Sequence, residues 1–250
     1  MPVSAEKIII LDATASTNNY AMALISKGEA RHGLAVFAID QFEGKGRQQK
    51  VWRSAPGENI ILSVVTEMRW AFLSSQFQIS VAAALSVAEL LMNYCDDKVF
   101  VKWPNDIFIG DRKAAGILIE NVIHGTLWQW AVTGMGVNIN QTNFPPDLKA
   151  ASLTLNKGKK FDVLKLSVEL RDLFLNRIEQ WRLGKNNWLD DYNQMLFGKG
   201  KKVRLKKGNI AFDTEIKSVN FGGQLITTDT IEREWNFGEV SIERVYDPLN

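Results

Sequence analysis

Cysteine is almost absent from this sequence: Cys95 stands alone among 250 residues. A single thiol excludes an intramolecular disulfide framework. With only His32 and His124 beside it, a thiolate or imidazole metal site is poorly supplied. Cys95 falls in an apolar stretch of helical character, where a buried, inert thiol is expected. An excess of one charge is missing too. Lys+Arg 30 against Asp+Glu 28 leaves a formal net charge of +2, so bulk charge favours neither nucleic acid nor a membrane surface. No segment approaches the roughly 20 apolar residues of a membrane span. Met1–Lys7, leading into the short Ile8–Leu11 run, does not read as a signal peptide. A cytoplasmic protein is expected. Repeats and low-complexity tracts are lacking as well. What is present, 46% hydrophobic and 23% charged residues, is ordinary globular composition over enough chain for a sizeable core.

Ser16 is placed to cap a short helix carrying Tyr20, Ala21, Leu24 and Ile25, which Gly28 stops. Leu34–Asp40 and Asn59–Thr66 read as buried strands on either side of a glycine- and charge-rich loop. Phe77–Tyr94 is rich in alanine and apolar residues and predicts a helix. Val99–Trp103 is a strand ending at Pro104. Ile107–Ile109 and Lys113–Ile123 form a hairpin about Gly110-Asp111, and a second hairpin leads through Gly125 into Leu127–Thr133. Helices follow at Val163–Trp181 and Trp188–Leu196. Beyond Gly198 come only short strands: Val203–Leu205, Phe212–Val219, Leu225–Thr228, Glu234–Phe237 and Val240–Ile242. The chain therefore divides into an α+β body, residues 1–196, and a small all-β unit, residues 197–250. Lys201, Lys202, Lys206 and Lys207 flank the first of these late strands, which predicts a lysine-protected edge strand. Docking of an acidic partner would use the same charges.

Three segments carry chemistry. Gly44-Lys45-Gly46-Arg47, followed by Lys50 and Trp52, alternates glycine with cations, so backbone N–H groups and positive side chains can converge on an anion. A solvated basic loop is the plainer reading of those residues alone, and the spacing of a P-loop is absent. Lys102-Trp103-Pro104-Asn105-Asp106 ends a strand in a tight turn, with Lys113 across the hairpin and Gly116 beyond it. A hairpin salt bridge would suffice to explain that pair, although an ammonium held by a carboxylate also suits catalysis. Gly116 within a strand admits a close approach by ligand or backbone. The third segment, Gly134-Met135-Gly136-Val137-Asn138-Ile139-Asn140, is weak evidence by itself and would serve equally for a β-bulge.

Taken in order and at their spacing, these segments resemble the biotin–protein ligase family, of the type without an N-terminal DNA-binding domain. Lys102–Asp106 with Lys113 and Ala115–Leu118 is the most specific part of the likeness. Ser16-Thr17-Asn18, Gln41, Gly44–Arg47 with Trp52, and Gly238-Glu239-Val240-Ser241 complete it. The resemblance implies a catalytic body like class II aminoacyl-tRNA synthetases, with a mostly antiparallel mixed sheet, and an SH3-like C-terminal β-barrel. It implies activation of biotin by ATP, with Mg²⁺ carried mainly on the phosphates, and transfer of biotin to a lysine of a biotin carboxyl carrier protein or carboxylase subunit. Lys113, Arg47 and Asp106 would be catalytic. Ser16, Thr17, Asn18, Gln41, Lys45, Gly46, Arg47, Lys113 and Gly116 would bind biotin. Gly44, Lys45, Arg47, Trp52, Asn105, Lys113 and Asn138 would bind ATP or the adenylate. The loop is expected to order on binding and exclude water.

Two departures stand out. Lys45 replaces the arginine usual in that loop, keeping the charge without the planar fork, and Gln48-Gln49-Lys50 follows where more arginine is usual. Ser16 lies too near the start for a helix-turn-helix before it, so no DNA-binding duty is expected. Membrane association is not expected either, and a homodimer is left open. Lipoate–protein ligase is the rival with the same adenylation chemistry. Gln41 and the Gly44–Arg47 loop favour biotin, because a ureido ring needs more hydrogen-bonding partners than a dithiolane. A non-catalytic nucleic-acid-binding module is the rival of another class, and the near-neutral charge argues against it.

Overall fold

From Asn59 to Thr66 every residue is buried, and this run, rich in β-branched residues and free of glycine and proline, forms a central strand. The chain organises around it. The structure, a computed structural model, describes residues 8–47, 51–185 and 187–246; the expectations for Met1–Lys7 and Gln48–Lys50 fall outside them. In chain order the elements are β1 (Ile8–Thr14), α1 (Thr17–Ser26), β2 (Ala35–Gln41), β3 (Asn59–Glu67), α2 (Phe77–Tyr94), β4 (Val99–Lys102), β5 (Asp106–Ile109), β6 (Arg112–His124) and β7 (Leu127–Asn138). Then follow α3 (Leu153–Lys157), α4 (Val163–Arg182), α5 (Trp188–Gln194), β8 (Lys202–Lys207), β9 (Ile210–Val219), β10 (Leu225–Thr228), β11 (Glu232–Trp235) and β12 (Ser241–Val245). β1 is a strand where the sequence shows only a short apolar run, and α3 is a helix whose five residues are too few to show a period.

The body is a seven-stranded sheet in the order β1-β2-β3-β7-β6-β5-β4. Only β1 and β2 run parallel; the other pairs are antiparallel. Strand alternation sorts the central residues onto two faces. Ile60, Leu62 and Val64 of β3, with Met135 and Val137 of β7, turn into the core under α2 and α4. On the other face Val65 and Val132 pack against Ala21 and Leu24 of α1. Beyond α1 that second face carries no large apolar cover, and the cleft lies there.

The later strands form a five-stranded antiparallel sheet, β11-β10-β9-β8-β12. The expected barrel is corrected to an open sheet: among the described residues β11 and β12 are both edges, and no ladder joins them. The two sheets share one core, in which Val203, Leu205, Ile216 and Val219 join the body's residues. Asn193 of α5 exchanges two hydrogen bonds with the Val219 backbone, at 2.9 and 2.6 Å, and the Trp103 indole donates to the Gly223 carbonyl at 2.9 Å.

Three further expectations need correcting. β8 is interior to its sheet, so its lysines do not protect an edge. Lys202 pairs with Asp213 at 3.2 Å, and Lys206 lies 3.6 Å from Glu243. Leu73–Tyr94 is long and apolar enough to cross a membrane, with mean hydropathy 1.3 over its best window, yet 72% of that window is buried inside the protein, as befits a core helix. Cys95 ends α2 rather than sitting within it and is partly buried. Burial and the nearby Asp97 push its thiol pKa up, so it is a poor nucleophile.

Candidate active site

The cleft has a volume of about 1040 Å³ and opens on the α1 face of the large sheet. Its floor follows from the alternation of the strands. Ser63 stands opposite Gly134, and Gly116 opposite Gly136, so the central floor has almost no side chains. The space is used at once. A β-carbon on Gly134 would come within 2.5 Å of the Asn18 carboxamide oxygen, and one on Gly136 within 2.5 Å of the Trp52 indole. The Gly134-Met135-Gly136 motif is thus a floor with large side chains on one face only. A glycine at every second position beside buried Met and Val was the signal for it.

At one end lies an uncharged polar cup. Ser16 caps α1 by accepting from Asn19 N–H, and the Gln41 carboxamide oxygen accepts from Thr17 N–H at 2.8 Å. With its oxygen so engaged, Gln41 has its N–H₂ group left for a ligand. Ser63 Oγ lies 2.8 Å from Thr17 Oγ1 and 2.6 Å from Asn18 Oδ1. Asn18 donates to Glu120 at 2.7 Å and to the Leu118 carbonyl at 3.3 Å. Both functions of the Asn18 amide are therefore used within the protein, and it acts as a brace behind Thr17. Ser63, fully buried between Leu62 and Val64, and Glu120 had no assigned role from sequence; a lone hydroxyl inside an otherwise apolar strand was the available signal.

At the other end lie the charges. The Lys113 ammonium is 2.7 Å from Asp106, and both side chains are about three-tenths exposed, at 31% and 27%. A bulge makes this geometry. Ile107 pairs with Ala115 but Phe108 with Lys113, so Ala114 is an extra residue in β6. Without it, strict alternation would send Lys113 to the buried face of Ala115 and Ile117. With it, Lys113 joins the face of Gly116, and its ammonium lies 3.4 Å from where a β-carbon on Gly116 would sit. Asn105 donates to the Ile117 carbonyl at 2.8 Å, and Asn138 to the Ala151 carbonyl at 3.0 Å.

The loop arches over this end. Trp52 N–H donates to the Gly44 carbonyl at 2.8 Å, and Lys45 bridges Val51, so the described ends of the loop are already joined. Lys45 also donates to Asn19 at 2.9 Å, tying the loop to α1. Gly44 does not line the cleft: a β-carbon there would strike the Trp52 carbonyl, so it serves the loop's own turn. The Trp52 ring rests on Gly116 and Gly136, 5.6 Å from the Lys113 ammonium, and its N–H is buried with no acceptor among the described residues. The close approach that Gly116 permits is thus occupied here by the indole. Arg47 is half-buried over Phe237, and desolvation lowers its pKa, against the opposing pull of Asp106.

Ser16, Thr17, Asn18, Gln41, Lys45, Gly46, Arg47, Trp52, Asn105, Asp106, Lys113, Gly116 and Asn138 all line this one cleft. Its cations are Lys45, Arg47, Arg53, Lys102, Lys113 and Lys149, against the carboxylates Asp106 and Asp147. A chain with net charge +2 therefore concentrates positive charge here, as binding of a polyanion requires.

Known proteins share both the sequence and the fold. The bifunctional ligase/repressor BirA of Salmonella typhimurium is 29% identical over 94% of this chain, which spans 74% of that protein. The Bacillus subtilis ligase/repressor is 32% identical over 64% of this chain, which spans 50% of its length. The biotin–[acetyl-CoA-carboxylase] ligase of Mycobacterium tuberculosis is 28% identical over 79% of this chain, covering 73% of its own. Among solved structures, the biotin protein ligase of Aquifex aeolicus in complex with biotin and ATP superposes with a TM-score of 0.80, at 20% identity over 96% of this chain and 99% of that one. The likeness shows that this chain has the fold of that biotin protein ligase. Residues 10–138, which hold every cleft residue from Ser16 to Asn138, match the biotin/lipoate A/B protein ligase family, and the chain belongs to that family.

Proposed function

We propose that this protein is a biotin–protein ligase, which joins biotin to ATP as biotinyl-5'-AMP and then passes it to a lysine of a biotin carboxyl carrier protein or carboxylase subunit. The observation that carries the reading is one cleft with an uncharged hydrogen-bonding cup at one end and a cluster of cations at the other. The relatives named as biotin ligases support it.

In the first step the biotin carboxylate attacks the α-phosphate of ATP and pyrophosphate leaves. Negative charge gathers at that phosphorus, and fixed cations are the means to stabilise it. Lys113 bridges the carboxylate and the α-phosphate, and Asp106 aims it. Arg47 and Lys45 hold the phosphates from the loop. Thr17, Ser16 and the N–H₂ group of Gln41 meet the ureido ring, whose polar atoms must be paired once buried. As biotin enters, Trp52 leaves Gly116 and Gly136 and turns over the adenylate, whose other side meets Asn105 and Asn138. Mg²⁺ is assigned mainly to the nucleotide's phosphates, the usual arrangement for a cation that keeps its waters and takes few protein ligands. In the second step the acceptor amine attacks the activated carbonyl and AMP leaves. Asp106 is the nearby carboxylate able to take the amine's proton. We further infer a catalytic unit at 1–196, a C-terminal unit at 197–250, and cytoplasmic action.

The test is exchange of labelled pyrophosphate into ATP, with biotin, with lipoate and with neither acid. Biotin-dependent exchange that disappears in Lys113→Ala is expected. Exchange with lipoate instead would keep the chemistry and overturn the substrate. No exchange from folded protein would sink the reading.

A further inference from the structure

The Arg47 guanidinium lies 4.6 Å from the centre of the Phe237 ring. Phe237 belongs to the small C-terminal sheet unit, in the turn between β11 and β12, more than 180 residues along the chain from the loop. We propose that Phe237 is a positioning residue for adenylation, the aromatic seat on which the C-terminal unit holds Arg47. The proposal rests on the ligase reading above and adds a residue to it.

Four observations converge. First, the Arg47 guanidinium lies over the face of Phe237, with only the longer-range pull of Asp106 and Tyr192 besides, so among the described residues no carboxylate clamps it and its N–H groups can turn to phosphate oxygens. Second, Arg47 is partly buried, which depresses its pKa, and a cation–π contact strengthens as water is removed. Third, the ring cannot drift. It lies 5.9 Å from Phe77, at the start of α2, and 5.5 Å from Trp103, in the turn before Asp106. Phe77 in turn meets the fully buried Tyr192 edge-on at 5.6 Å. The seat is thus braced by elements that also place Asn105 and Asp106. Fourth, Phe237 remains 40% exposed despite this packing, so the ring is not simply a core residue and one face is available to Arg47. The ring lines a second cavity, of about 410 Å³, and Arg47 and Asn105 line both cavities. Arg47 therefore stands in the wall between them, with the ring against it.

The contact also answers how the C-terminal unit serves the reaction. Arg204 and Lys202 flank Asp213, and Lys206 is near Glu243, so these cations of that sheet are matched within it. The unit contributes a ring that places a cation of the body.

The test compares Phe237→Leu, Phe237→Tyr and Phe237→Trp in biotin-dependent pyrophosphate exchange, with thermal midpoints recorded for each. Leucine keeps apolar bulk but has no π face. We expect Phe237→Leu to raise KM for ATP about tenfold, equivalent to about 1.4 kcal/mol, with KM for biotin far less affected. Tyr and Trp should restore it. A double-mutant cycle separates seating from packing: in an Arg47→Ala background, where residual exchange is followed at high enzyme concentration, Phe237→Leu should have no further effect on KM for ATP. If Phe237→Leu matches the parent enzyme, or if its effect is unchanged when Arg47 is absent, the seat is refuted and Phe237 is packing alone. If the parent enzyme itself shows no biotin-dependent exchange, the ligase reading has failed instead.

Discussion

Removing the Ser63 hydroxyl tests whether the polar cup is a rigid device. Ser63 is fully buried, and its Oγ lies 2.6 Å from Asn18 Oδ1, whose residue is 4% exposed. In Ser63→Ala that buried carbonyl loses its donor, and an unsatisfied buried acceptor costs about 1–3 kcal/mol. For a chain of this size that corresponds to roughly 2–12 °C in thermal midpoint. The effect should reach the ligand, because the same hydroxyl meets Thr17 at 2.8 Å, and Thr17 in turn meets Gln41 at 3.2 Å. With Thr17 and Gln41 free to turn, KM for biotin should rise several-fold, while KM for ATP stays near that of the parent. Urea titration gives the stability change from the midpoint at constant slope, and pyrophosphate exchange gives both constants. A loss below about 0.5 kcal/mol, the range of an indifferent surface change, together with an unaltered KM for biotin, would refute the reasoning.

Gly136→Ala would set a methyl group 2.5 Å from the Trp52 ring on a strand hydrogen-bonded on both sides, so the indole is displaced and the methyl fills floor that the ligand would use. Exchange should fall by at least about tenfold with KM for biotin raised, the scale expected for a misplaced reactant; a fully active variant would show the indole is not held there. Asp106→Asn keeps the hydrogen-bonding shape beside Lys113 but removes the charge. Because the pair is partly exposed, stability should change by less than about 1 kcal/mol, while kcat falls; the reverse pattern would make the pair structural. Cys95, its thiol pKa raised by burial, holds less thiolate at neutral pH than a free cysteine. Alkylation with iodoacetamide should therefore be slow at pH 7 and accelerate as pH rises towards that raised value, a profile that mass spectrometry can follow.

Much of the site was legible because its residues cluster in sequence. Lys102–Asp106, Lys113 and Gly116 fall on the two successive hairpins of β4, β5 and β6, where neighbours in the chain are neighbours in space. The Ser16 cap was legible for the same reason: a cap acts three residues away. Ser63 and Glu120 were not legible, since one buried hydroxyl or one carboxylate on a strand becomes a brace only when α1 is laid against it. The lysines of β8 misled because edge and interior strands have the same local composition. What differs is which later strand pairs beside them, and β12 does so from over thirty residues away.

By itself the sequence determined the periods: most of the helices and strands, though not β1 or the short α3, and that glycines alternate with large apolar residues in β7. Those depend on local backbone preference and on burial of one face, both written within a few residues. It could not determine which face a charged side chain would take. Lys113 reaches the cleft because one extra residue, Ala114, is absorbed in the pairing of β6 with β5. Likewise Arg47 meets Phe237 only because two sheets close over a common core. Register and sheet docking are settled by contacts between distant segments, and so the orientation of these cations belongs to the tertiary structure.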